Sequence, residues 1–355
     1  SALQPFVDSG QAAGFVTILA QGDRIIDCSV VGYADVDTKK PMKRDSLFWI
    51  ASMSKPITAT AVMMLVDEGK ISLDDPISKY FPEFNDLKVA NKPAADGSVL
   101  LTKPKSIPTV RQVLSHTGGF PFLTRFMSLY GIDSLPPQRL VTVAAMTPLS
   151  AEPGTKSLYS NVGIDIASAI VEKVSGMPFE TFLVERLFKP LGMKDTTFYP
   201  TQEQMSRLAT SYSWDKAANK LKSCTVHYLT FPYSDRHIRF PEGGGGLFST
   251  ADDVLKFHRM LAANGLFEGK RILSAAAVAE MSKDQTKGLS SYGFGLNIAA
   301  DGKSFGHGGA YRTDGRVWKE GGYVTVFMVQ SAGLPCLPQV RQKWNQAILT
   351  LVSAK

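Results

Sequence analysis

The stretch Gly14 to Asp35, "GFVTILAQGDRIIDCSVVGYAD", holds two β-rich runs separated by Gln21-Gly-Asp23 and reads as a hairpin. Two strands alone are marginal in water, so this hairpin needs partners elsewhere in the chain. The other β-like runs lie far downstream, at Ser291 to Ile298, Lys303 to Tyr311 and Gly322 to Ser331. The expectation is an α+β fold, in which both ends of the chain build one antiparallel sheet flanked by terminal helices. A mostly helical region is then an insertion. Residues 1–80 and 240–355 form the sheet-bearing domain on this reading, residues 81–239 the helical one, and the site lies in the cleft between them.

Helical periodicity begins after Ser54, where Ile57, Ala61, Met64 and Leu65 recur at three- and four-residue steps until Gly69. Asp74-Asp75-Pro76 reads as the cap and first turn of a short helix. Further helices are predicted over Thr109 to His116, Asn161 to Ser175 and Pro178 to Phe188. Ser249-Thr-Ala-Asp252 opens another with an acidic first turn, and an amphipathic helix closes the chain from Pro338 to about Ser353. The segment Phe231 to Gly246, rich in Pro, aromatics and Gly and ending in "GGGG", has the composition of a loop shaped around something.

A chain of 355 residues, 44% hydrophobic with 30 Gly and 20 Pro, can bury a large core. Its longest apolar runs, such as Thr60 to Val66, fall well short of the roughly 20 residues that cross a bilayer, so no transmembrane helix is predicted. The chain begins at Ser1 without an initiator Met or a signal segment. A leader removed or omitted would account for that, leaving the compartment open between periplasm or exterior and cytoplasm. The three cysteines, Cys28, Cys224 and Cys336, fit neither a disulfide framework nor a zinc pattern and read as buried thiols. A net charge of +7 raises the question of nucleic acid, but the basic residues are scattered, with pairs such as Lys39-Lys40 and no longer run. A solvated surface is the reading, with no nucleic-acid partner; the oligomeric state is not written in the sequence.

The chemistry starts at Phe48 to Ala59, "FWIASMSKPITA". On a helix Ser52 and Lys55, three positions apart, share a face. The helix start adds free N–H groups and partial positive charge, and a lysine taken out of water has its pKa lowered, so that its neutral amine is available to accept a proton near neutral pH. The spacing alone is weak, because Ser213-Trp-Asp-Lys216 repeats it in the polar stretch "SYSWDKAANKLKS", which reads as an exposed hairpin or loop. Ser52 differs in its apolar approach, "LFWIA", leading directly into a helix. A rival nucleophile, Ser304 in Gly302-Lys-Ser-Phe-Gly306, fits G-x-S-x-G but is followed by no helical pattern, which that elbow needs. Nothing matches H-E-x-x-H or a P-loop, so no metal or other cofactor is predicted.

Two further elements carry polar groups. Tyr159-Ser-Asn161 follows a Pro-Gly turn at the entrance to a helix; its tyrosine is either a phenol activated by nearby cations or a packing residue, and Asn161 either a ligand group or an N-cap. Gly306-His-Gly-Gly-Ala310 sits in a β-like run, where adjacent glycines suggest a close approach to the backbone, as an oxyanion held by a main-chain N–H requires. His307 alone suits a structural role as well as a catalytic one. His116 in "LSHTGGF" reads as structural, ending a helix where a histidine favours the dipole.

In this order the three elements resemble the active-site triplet of the serine penicillin-recognising superfamily, in its class C β-lactamase-related branch. That branch also holds D-alanyl-D-alanine peptidases, D-aminopeptidases, family VIII carboxylesterases and some acyltransferases. "VRQVLSHTGGF", "EPGTKSLYSNVGIDIASAIVEKVSG", "LFKPLGMKDTTF", "GGGGLFSTADDVLKFHRML", "SYGFGLNI" and "GHGGAYRTDGRVW" extend the likeness nearly end to end. The resemblance implies acylation of Ser52 assisted by Lys55, with Tyr159 as the base and later the acid. Asn161, His307, Gly308 and Gly309 would then contact the substrate, and the main-chain N–H groups of Ser52 and Ala310 would form the oxyanion hole. Where relatives present Lys-Thr-Gly, this chain has His-Gly-Gly, and a histidine near pKa about 6.5 is only partly charged at neutral pH. The implied activity is that of a serine hydrolase cleaving ester or amide bonds of a small-molecule or peptide acyl substrate. A dedicated β-lactamase, a transacylase, or a β-lactam or cell-wall-peptide binding protein with little turnover are the alternatives. The aromatic segment Phe120 to Tyr130 would either line an acyl pocket or pack under the helical region.

Overall fold

The computed structural model describes residues 2–353. Seven strands form one antiparallel sheet: β1 (Gly14–Gln21), β2 (Arg24–Asp35), β3 (Lys40–Pro41), β4 (Asn297–Ile298), β5 (Ser304–Gly308), β6 (Asp314–Trp318) and β7 (Tyr323–Met328). Their spatial order is β4-β5-β6-β7-β1-β2-β3, so β1 is bonded to the last strand of the chain, with Val16 opposite Met328 and Gln21 opposite Tyr323. The hairpin of Gly14 to Asp35 thus finds its missing partners at the other end of the chain. Because β1 is central, it is covered on both faces and reads as an almost unbroken apolar run.

The helices that frame the site are α1 (Gln4–Asp8), α2 (Ser54–Asp67), α3 (Val110–Leu114), α4 (Arg125–Tyr130), α5 (Asn161–Ser175), α6 (Ala251–Ala262) and α7 (Leu337–Ser353). Phe15, Leu19 and Phe327 point to one side of the sheet and pack with Val340 and Trp344 of α7. Val16, Ile18 and Ala20 point to the other, into a core shared with α2, α5 and α6. Nearly all of α2 is buried, from Ser54 to Leu65, which explains why its apolar residues run around the helix instead of forming a stripe.

Three predicted features differ in the structure. The run Ser291 to Ile298 forms a strand only at Asn297–Ile298, because Gly295, at φ +64°, turns the chain so close to α2 that a Cβ there would lie 2.6 Å from the Lys55 carbonyl oxygen. Strand β6 has no counterpart among the predicted runs; its Gly315 accommodates the His258 ring of α6, which would stand 2.3 Å from a Cβ. The Asp74-Asp75-Pro76 turn leads into a single 3₁₀ turn, Ile77–Lys79. Cys336 is buried, Cys28 and Cys224 are partly so, all three are free thiols, and burial raises the pKa of each. No helix among the described residues is long and apolar enough to cross a membrane.

Candidate active site

Ser52 sits in a 3₁₀ turn, Ala51–Met53, that runs directly into α2. The turn is held from outside: Phe48–Trp49 pairs with Phe248–Ser249, the Ile50 N–H donates to Leu247 O at 3.0 Å, and Trp49 Nε1 donates to Gly245 O at 2.6 Å. Ala51 takes a left-handed φ of +46°, a conformation that a Cβ disfavours and that the surrounding bonds must enforce.

Lys55 is completely buried, yet its amine is fully met. Its Nζ lies 3.2 Å from Ser52 Oγ, 2.7 Å from Asn161 Oδ1 and 2.5 Å from Gly244 O. Those acceptors match the three N–H groups of an ammonium, the condition under which burying such a group is tolerable. The amine also stands 4.8 Å from the centroid of the Tyr159 ring. Asn161 is the first residue of α5, and the cap of that helix is Ser160, whose Oγ accepts from the Gly163 N–H at 3.1 Å. Of the two readings open for Asn161, the capping one is therefore excluded. Its Oδ1 is committed to Lys55, while its Nδ2 makes no hydrogen bond among the described residues.

His307 lies on β5, 4% exposed. Its Nδ1 donates to Gly308 O at 2.7 Å, so Nε2 is the acceptor for the Tyr292 hydroxyl at 3.0 Å, with the Tyr159 hydroxyl more distant at 3.5 Å. Burial, and then the positive charge of Lys55, push its pKa down to about 3. The expectation of a partly charged imidazole at neutral pH is thus corrected: His307 is a neutral acceptor. His116 is corrected in the same sense. It follows α3 in a left-handed conformation, φ +61°, accepts the Ser160 N–H on Nδ1 at 3.2 Å and packs its ring 4.5 Å from Tyr159 and 4.6 Å from Tyr292. Burial lowers its pKa well below the usual histidine value, so it is no cationic partner of a helix dipole.

The two glycines after His307 differ. A Cβ on Gly309 would stand 2.6 Å from Ile50 O and 2.2 Å from Thr313 Oγ1, so only glycine lets β5 approach the chain two residues ahead of Ser52. At Gly308 the nearest atom would be 3.4 Å away, ordinary contact distance. Ala310 follows, exposed, its main-chain N–H bonded to no group among the described residues.

The structure therefore brings Ser52, Lys55, Tyr159, Asn161, His307 and the Gly308–Ala310 turn to one place, and separates the rivals from it. Ser213 and Lys216 lie in and beyond the hairpin strand Tyr212–Asp215, with Lys216 exposed. Ser304 is buried at the start of β5 opposite Trp318, with no helix behind it. Sequence reasoning missed Gly244 as the third acceptor for Lys55, although "GGGG" was the signal. A Cβ at Gly244 would be 2.7 Å from Glu242 Oε1 and 3.0 Å from Asn161 Cγ, so the glycine run is what Phe231 to Gly246 is shaped around Lys55 with. Tyr292, in "SYGFGLNI", was missed as well; nothing in its sequence context singles out its hydroxyl. Within Phe120 to Tyr130, Phe120 is buried, whereas Phe122, Phe126, Leu129 and Tyr130 are exposed, and Phe122 stacks on Tyr159 at 5.9 Å and 25°.

Residues 1–346 match the family described as Beta-lactamase. Among curated proteins, the chain is similar to Protein Rv1367c of Mycobacterium tuberculosis, 37% identical over 295 residues that cover 80% of this chain and 71% of the relative. It is similar to Esterase EstB of Burkholderia gladioli, 30% identical, covering 74% of this chain and 69% of the esterase. Among solved structures, EstCE1, a hydrolase with promiscuous acyltransferase activity, is 27% identical and covers 96% of both chains with a TM-score of 0.78. A variant of simvastatin synthase (LovD) from Aspergillus terreus shares the fold with a TM-score of 0.82 at 20% identity, over 100% of this chain and 94% of that one. The class that the fold and these relatives define is that of the serine hydrolases working through an acyl-enzyme. Within it, the chain belongs to the β-lactamase family.

Proposed function

We propose that Ser52 is the nucleophile of an esterase-type acyl transfer to water, carried out in a cleft between the sheet-bearing part (1–80 and 240–355) and the helical part (81–239). Lys55 and Tyr159 serve as the proton-handling pair for Ser52. Tyr159, whose ring lies over the lysine amine, takes the serine proton and returns it to the leaving group. The N–H groups of Ser52 and Ala310 receive the oxyanion, where the loss of one donor typically costs about 10²–10³ in rate. Asn161 presents its carboxamide nitrogen to the acyl side chain, and Gly308 and Gly309 form the rim along which the substrate lies.

The observation that carries the ester preference is the pairing of a neutral, buried His307 with the exposed Phe122 stacked on Tyr159. A site with no cation where relatives place a lysine gives a substrate carboxylate little to bind, while Phe122 offers apolar contact. Asn161 favours a second reading, amide substrates of the D-amino-acid peptide type, with weak β-lactam cleavage or stable acylation as a side activity. Comparing kcat/KM for short-chain p-nitrophenyl esters, D-amino-acid peptides and nitrocefin decides between them, with the esters expected to lead. Intact-mass analysis after incubation with an ester or a penicillin is expected to show one adduct on the wild type and none on Ser52→Ala. That variant is expected to lose about 10⁴-fold or more in kcat/KM. Undiminished turnover in Ser52→Ala overturns the assignment.

A further inference from the structure

Behind Lys55 lies a pair of acids that the acylation chemistry leaves unused. Asp165 is on α5 four residues after Asn161, hence on the same helix face, and Glu242 immediately precedes the glycine run. They are 2% and 3% exposed, and their carboxyls lie within hydrogen-bonding reach of each other. Asp165 Oδ1 accepts the Gly244 N–H at 3.1 Å, from the same residue whose carbonyl holds Lys55. Asp165 Oδ2 and both Glu242 oxygens meet no N–H or O–H donor from elsewhere among the described residues. Glu242 Oε1 and the Asn161 carboxamide, which also holds Lys55, both border the space beside Gly244, at 2.7 Å and 3.0 Å from where a Cβ would stand.

Two ionised carboxylates in contact out of water repel each other and leave buried acceptors unmet; a single proton between them removes both faults. Burial raises both acids, Asp165 to about 7 and Glu242 well above the carboxylate range. The buried charges then balance. Asp133 pairs with Arg239, both with no exposed side-chain surface, and the buried Asp253 pairs with the partly exposed Lys256 at 3.0 Å, which leaves Lys55 to be matched by one negative charge.

We propose that Asp165 and Glu242 share one proton and act as a single monoanion that, through Gly244, positions Lys55 and balances its charge. The proposal rests on the Ser52–Lys55 reading of the site. Both acids are positioning residues, acting only through the groups that bind Lys55. The charged and titratable groups facing the pair are Lys55 from α2 and Asp133 with its partner Arg239; those facing Lys55 from the other side are Tyr159, His116 and His307.

The test separates one charge from two carboxyls. Asp165→Asn and Glu242→Gln each keep one negative charge and one donor between the side chains. Each is expected to keep the acidic limb of the kcat/KM profile for p-nitrophenyl acetate, with kcat lowered about threefold at most. The double variant keeps no charge, and its acidic limb is expected to move about one pH unit lower, with KM nearly constant. Thermal melts show whether each variant is folded. Infrared difference spectra supply a readout without turnover: the wild type at pH 7.5 is expected to show a protonated-carboxyl C=O band that both single variants lack. No such band, single variants that move the limb as far as the double one, or a double variant that moves nothing overturns the proposal. A wild type that shows the band but is not acylated at Ser52 overturns the functional reading and the role toward Lys55, while the shared proton stands.

Discussion

Lys55 is met by Ser52, Asn161 and Gly244, so its position is set by groups from three separate segments of the chain. His307 is governed differently, by the loss of water around it. Because Nε2 accepts from Tyr292 and Nδ1 donates to Gly308 O, protonation would turn Nε2 into a donor and oblige the Tyr292 hydroxyl to reverse and accept, besides placing a charge out of water beside Lys55. The imidazole resonances of His307 are therefore expected to stay at neutral-form shifts from pH 8 down to pH 5 in an NMR titration; a midpoint above pH 5 would contradict the buried, neutral assignment. It follows that no inflection of the pH–rate profile between pH 5 and 8 belongs to His307, and any seen there belongs to other groups of the site.

At the level of elements, the approach of β5 to the Ser52 turn is the joint most exposed to a small change. Gly309→Ala would drive a methyl against Ile50 O and Thr313 Oγ1 and lift the Ala310 N–H away from the nucleophile. It is expected to lower kcat/KM for p-nitrophenyl acetate by about 10²–10³ and to cost about 1–3 kcal/mol of stability in urea melts. Gly308→Ala, which meets no protein atom closer than 3.4 Å, is the control for stability and is expected to change the urea melt by little. This joint was half legible. "GHGGA" announced a close approach, but which of its glycines needs to be glycine depends on Ile50, more than two hundred positions away. Helix α5 was readable to its last residue because apolar periodicity and Gly176 both mark it, and α7 nearly so. Strand β6 was not, since "DGRVW" buries only Gly315 and Val317 and leaves its charged residues partly exposed. The candidate site residues were all in the sequence reading; the groups behind them were not, because Asp165, Glu242 and Gly244 acquire their meaning only from burial beside Lys55.

For the molecule as a whole, buried titratable groups pull its acid stability in opposite directions. His116, His258 and His307 have pKa values lowered first by burial. The unfolded chain binds protons to them near pH 6.5 while the native state does not. Their contribution is fully present above that pH and is lost as pH falls toward the folded values, at up to about 1.4 kcal/mol per unit for each. Asp165 and Glu242 act with the opposite sign: the native state keeps a proton that the unfolded chain gives up above pH about 4, so their contribution falls as pH rises toward 7. Removing both acids, in the Asp165→Asn, Glu242→Gln double variant, is expected to make Tm fall more steeply between pH 7 and pH 5 than in the wild type. Parallel curves from differential scanning calorimetry would contradict this. At the terminal helix, Trp344→Ala is expected to cost about 3–5 kcal/mol, measured by urea denaturation, since Trp344 packs on Phe327 behind the sheet.

The pairing of β1 with β7 has a bearing on how the protein comes into being. A ribosome delivers the Ser52 turn first, but the strand that presses Gly309 against it, and the strand that completes the pairing of Val16, emerge more than two hundred residues later. A nascent chain therefore carries its serine and lysine through that interval without the wall that completes their pocket. Such long-range pairing makes folding slow, and it ties the birth of reactivity to the closing of the whole sheet. An unfinished or truncated copy is a chain with the nucleophile present but no place to hold the acyl oxygen.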